Sequence, residues 1–198
     1  MKTRAEALAL LNQYVTSESL RKHCASVEAS MCWYAKKAGK SPEEVELWGI
    51  CGLLHDFDYE KYPDPAAGGH PMSGAPILRD EGYPEEMIEA ILGHATYSGV
   101  PRTSEMAKTL FAVDELSGFC VACTYVRPDK SIMTTEVKSV VKKLKTKEFA
   151  KGCSREDITL GAQELGIPLE EHINNVLLAL RENADALGIR GMPVASSA

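Results

Sequence analysis

Apolar residues recur at intervals of three and four along most of the chain, in about residues 4–15, 19–38, 42–56, 84–95, 104–126, 135–145 and 169–186. That interval is the period of a helix that buries one face, and it predicts seven helices. Sustained alternation of apolar and polar positions, the mark of a half-buried strand, is absent. Start signals agree: Ser41-Pro42-Glu43-Glu44 offers a capping serine, a proline at the first helical position and a glutamate three residues after the cap. Between Val45 and Leu54 the pattern is apolar on nearly all sides, as a central buried helix requires. The stretch EKYPDPAAGGHPMSG, Glu60 to Gly74, is rich in glycine and proline and predicts a loop, either functional or disordered. The pattern therefore predicts an all-α protein: one compact helical bundle over residues 1–190, with a disordered tail at 191–198.

Helical phase places several polar side chains on inward faces. His23 shares a stripe with Leu20, Val27 and Met31, and Asp114 shares one with Ala107, Leu110, Phe111 and Val121. His94 follows Met87 and Ile91, and the pair His55-Asp56 closes the apolar run from Val45. A buried carboxylate is costly unless it is paired or bound to a metal. No lysine or arginine stands out at inward positions nearby, whereas a divalent cation would neutralise the carboxylates and use neutral imidazoles as ligands. Singly, each histidine also reads as a hydrogen-bonded core residue and each aspartate as a helix cap. His172, beside Glu170 and Glu171 near the start of the last helix, reads as a surface residue.

Composition narrows the partners. With 198 residues, 44% of them hydrophobic and 25% charged, the chain is long enough for one sizeable core. A formal charge of −6 argues against general affinity for nucleic acid or anionic lipid. No segment approaches the roughly 20 continuous apolar residues of a membrane span, and MKTRAEALALLNQYV lacks the apolar stretch of a secretory leader, so a cytoplasmic location is expected. The six cysteines lie mainly in apolar helical stretches and read as reduced core residues; the single Cys120-x-x-Cys123 pair has no second pair to complete a zinc site. The lysine-rich face from Lys138 to Lys151, opposite Val137, Val140, Val141 and Leu144, reads as solvated surface. The last helix, with Ile173, Val176, Leu177 and Leu180, either covers the core or meets a second copy in a homodimer.

The order His23, then His55-Asp56, then a distant Asp114 on an all-helical chain resembles the HD superfamily of metal-dependent phosphohydrolases. LRKHCASVEASM, GICGLLHDFDYEKYP and FAVDELSGF carry the resemblance, which covers about residues 18–126. HPMSGAPIL and AILGHATYSG resemble the two further histidine segments of its dinuclear branch. Where many members continue the pair as His-Asp-Ile-Gly, this chain has His-Asp-Phe-Asp, which sets Asp58 apart. The resemblance implies one divalent ion on His23, His55, Asp56 and Asp114, and a second on His70 and His94, with Asp56 bridging. Iron, manganese, cobalt, nickel, zinc and magnesium all suit such donors. It further implies that His55 and Asp56 sit at the centre of a hydrolysis by metal-activated water, acting on a phosphoester or phosphoanhydride of a nucleotide or another small phosphorylated metabolite. Arg21, Lys22 and Arg102, close in sequence to His23 and His94, are the expected partners of the phosphate oxygens. The same ligand set also resembles that of the di-iron oxygenases of the superfamily, and a noncatalytic metal-binding sensor is a third reading.

Overall fold

Side-chain caps set the first three helices. The computed structural model describes residues 2–191. Helix α1 (Arg4–Tyr14) opens on Thr3, whose side chain accepts from the Glu6 backbone while the Glu6 carboxylate accepts from the Thr3 backbone at 2.8 Å. Ser17 caps α2 (Glu18–Lys37), and Ser41 with Glu44 forms the expected reciprocal cap on α3 (Pro42–Leu54). There follow α4 (Gly74–Asp80), α5 (Glu85–His94), α6 (Glu105–Tyr125), α7 (Val137–Leu144), α8 (Arg155–Glu164) and α9 (Leu169–Glu182). No strand occurs among the described residues, and the protein is all-α. The expected tail lies almost wholly outside the described residues.

All seven expected helices are present, with ends that differ by a few residues. Two more were not legible. Helix α4 has only seven residues, contains Pro76 and emerges from the glycine- and proline-rich loop. Helix α8 turns inward only Ile158, Gly161 and Ala162, too little apolar bulk to register as a stripe. It packs closely because Gly161 has no side chain: a Cβ there would stand 2.6 Å from the Ala112 Cα of α6.

Small residues also bring α2 and α3 together. A Cβ on Gly52 would lie 2.9 Å from the Glu28 backbone nitrogen, and one on Gly49 would lie 2.5 Å from the Cys32 sulfur. Because α2 carries His23 and α3 leads into His55-Asp56, this close packing decides how near these side chains of the two helices come. Helix α6 lies across α2, α5 packs on α6, and α9 packs on both α2 and α6. A continuous hydrophobic core runs through them, from Ala7 in α1 to Ile189 beyond α9.

His172 corrects the surface reading: it is fully buried. Its Nε2 donates to the Ala112 carbonyl at 2.8 Å, and its Nδ1 accepts from the Tyr34 hydroxyl at 2.6 Å. Glu170 and Glu171 occupy the polar first turn of α9, but one further step of about 100° carries position 172 onto the inward face with Ile173 and Val176. Burial lowers its pKa to about 4, against a smaller opposing pull from the Ala112 carbonyl. All six cysteines are free thiols, and burial pushes each of them up in pKa. No helix among the described residues is long and apolar enough to cross a membrane.

Candidate metal centre

Two helix C-termini aim imidazoles at the same point. His55 follows the last residue of α3, and its Nδ1 donates to the Gly52 carbonyl at 2.8 Å. His94 ends α5 and does the same to the Ile91 carbonyl. Each ring thereby satisfies a carbonyl that the helix end leaves without a partner. A carbonyl can only accept, so Nδ1 carries the hydrogen and, in a neutral ring, Nε2 presents a bare lone pair. His70 reaches the cluster from the loop before α4. Its backbone nitrogen donates to the Tyr62 carbonyl at 2.7 Å, and Gly69 beside it fits only because it lacks a side chain, since a Cβ there would lie 2.4 Å from that carbonyl oxygen. His70 Nδ1 donates to Asp58 Oδ1 at 2.6 Å, which again frees Nε2. His23 comes from α2 and Asp114 from α6.

The four Nε2 atoms form two pairs, His23 with His55 and His70 with His94, each 3.2 Å apart. Asp56 stands between the pairs. Its Oδ2 lies 3.3 Å from His55 Nε2 and 3.6 Å from His23 Nε2, while its Oδ1 lies 3.2 Å from His70 Nε2 and 3.5 Å from His94 Nε2. Asp114 Oδ1 completes the first side, 3.0 Å from His23 Nε2 and 3.3 Å from His55 Nε2. Burial alone would raise both carboxylates, but the His55 ring and its neighbours hold Asp56 and Asp114 well below the ordinary range. Burial likewise opposes charging His55, yet Asp56 and Asp114 outweigh it and hold its pKa well above the ordinary value.

This donor set fits divalent cations. Neutral imidazole lone pairs and carboxylate oxygens are all acceptors, so at such separations they repel unless protons or a cation lie between them. Three overlapping groups, His23 with His55 and Asp56, His55 with His94 and Asp114, and Asp56 with His70 and His94, each bring donor atoms close enough to hold a cation.

A sequence model of the HD domain matches residues 20–118 of the chain, half its length, and that span holds every one of these ligands. The chain belongs to the HD domain family. No curated protein and no solved structure matches it.

In this HD domain the eponymous pair is His55-Asp56, and a cavity of about 430 Å³ opens over it. Its lining includes Tyr59, Tyr97, Phe111 and Glu115, together with Gly152, Cys153 and Asp157. Glu115, unnoticed in the sequence because it neighbours Asp114 on a helix that otherwise reads as core, has a pKa raised to about 7 by burial and then by the Asp114 charge. Tyr97 donates its hydroxyl to the His70 carbonyl at 3.1 Å. Asp58 stood out in the sequence as a departure, and the fold gives it a task as the acceptor behind His70.

All six expected ligands meet, whereas Arg21, Lys22 and Arg102 are not among the residues lining this cavity. Arg21 donates to the Val15 carbonyl at 2.9 Å. Arg102 grips Glu164 with two nitrogens, at 2.8 and 2.5 Å, and lies over the Phe111 ring. Lys22 pairs with Glu18 at 3.2 Å beside a neighbouring hollow.

Proposed function

We propose that this HD domain is a hydrolase that uses two divalent cations to cleave a phosphoester or phosphoanhydride of a small phosphorylated metabolite, nucleotides included. The observation that carries this reading is the two-sided Asp56, whose oxygens each face a separate histidine pair. Bound there, divalent cations would supply an acidified water and positive charge for the phosphate oxygens. The chain's own contribution is to hold six donors with their lone pairs already aimed, so that little reorganisation accompanies binding. His55 and Asp56 would lie nearest the reacting atoms. No lysine or arginine lines the cavity, and its two tyrosines are the polar groups suited to orienting a substrate from the open side.

The test is a panel of phosphoesters and nucleotides with protein loaded with manganese, iron, cobalt or nickel, run with and without oxygen. Phosphate release is expected, together with about two metal ions per chain by elemental analysis. Asp56→Ala should abolish release, and the double variant His70→Ala, His94→Ala should keep one ion and lose most activity. Oxygen uptake without phosphate release would replace the hydrolase by a di-iron oxygenase, and no turnover of either kind would favour the noncatalytic sensor.

A further inference from the structure

We propose that the hollow between α2 and α6 binds the organic part of the substrate, and that this part is an uncharged, planar aromatic group. The inference rests on the phosphoester reading above. The hollow measures about 580 Å³ and is walled by Lys22, Ser26, Val121, Ala122 and Tyr125. It shares His23 and Gly118 with the cavity over the metal ligands, so the two spaces meet there. Gly118 adds no side chain at the junction, where a Cβ would already be in van der Waals contact with His23 Nδ1 at 3.5 Å and Cys153 Sγ at 3.9 Å. A phosphoryl group above Asp56 could thus pass its ester substituent over Gly118 into the hollow.

What the hollow accepts follows from how its polar groups are already engaged. Ser26 donates to the Lys22 carbonyl at 2.8 Å, and Ser19 at the edge shares a hydrogen bond with Ser17 at 2.9 Å. Lys22 is paired with Glu18, so the rim carries no net charge. A sugar or polyol would give up its bonds to water and find few partners in return, and a charged substituent would gain a counter-ion only by breaking the Lys22–Glu18 pair. Val121 and Ala122 offer aliphatic surface, and the Tyr125 ring, 43% exposed, offers a face with no aromatic partner. An aromatic ring gains from both without needing a hydrogen bond.

The experiment compares two non-hydrolysable ligands, 1-naphthylmethylphosphonate and methylphosphonate, by calorimetric titration of manganese-loaded protein. The naphthyl ligand should bind at least tenfold more tightly. Ala122→Trp, which fills the hollow, should bring the ratio of the two dissociation constants to within threefold. Tyr125→Ala, at an exposed position that folding tolerates, should lower the ratio at least threefold by removing the stacking surface. Equal affinity of the two ligands for the unaltered protein, or a preference that both variants leave intact, would overturn the hollow as a subsite while the phosphoester reading stands. Binding of neither phosphonate would overturn that reading and this inference with it.

Discussion

Asp58 has no exposure to solvent, gives one oxygen to His70 Nδ1 at 2.6 Å and leaves the other, Oδ2, without a hydrogen-bond partner. A carboxylate behind a ligating imidazole fixes the ring and makes it a stronger donor, and loss of such a partner weakens metal binding about 10–100-fold. Asp58→Asn keeps the shape and an accepting oxygen but removes the charge. It should weaken the second of two successive ions by about that factor and leave the first unchanged, as read by competition with a fluorescent chelator. Unaltered affinity at both sites would mean that Asp58 only packs. At this scale the sequence was informative wherever a polar residue broke an apolar stripe, as at His23, His94 and Asp114. It marked Asp58 only as a departure and gave it no role, because its partner lies twelve residues away across a loop and faces it only after the chain has turned back.

Among the elements, α9 is where inward and outward faces were hardest to tell apart. Two glutamates in its first turn concealed a histidine that ties α9 to both α2 and α6. His172→Ala would leave a cavity and take the acceptor from the Tyr34 hydroxyl, which would keep only the bond it accepts from Asn175 Nδ2, costing roughly 2–4 kcal/mol of stability while metal content per folded molecule stays the same. Denaturant melts and elemental analysis would check both halves. The pH dependence has a definite sign. His172 has a lower pKa in the fold than in the unfolded chain, so its contribution is present above about pH 6.5 and is lost as pH falls toward about 4. The variant should therefore lose less stability than the unaltered protein over that interval, and equal losses would place the acid sensitivity elsewhere. Helices α4 and α8 escaped the sequence for a different reason. Each is held by its neighbours and has no strong apolar period of its own, so tertiary packing decides that it forms.

Across the whole molecule, six donor side chains from α2, the end of α3, the loop before α4, the end of α5 and α6 converge, so cations there would cross-link distant parts of one chain. Their binding is folding free energy, and it competes with protons. In the metal-free protein the raised pKa of His55 contributes stability that is complete below about pH 6.5 and disappears as pH rises through its folded value. The metal-loaded protein needs that ring neutral and gains in the same direction. The difference in Tm between loaded and metal-free protein should widen from pH 6 to pH 8 in scanning calorimetry, and a constant gap would show that His55 is not displacing a proton. The clustered histidines and aspartates span only residues 23 to 114, whereas Gly152, Cys153 and Asp157, which also line the cavity, belong to a stretch that adds nothing to the cluster among the described residues. For a lineage under selection this is a separation of risks: mutations around the start of α8 can redraw what enters the cavity while the histidine and aspartate cluster is left alone.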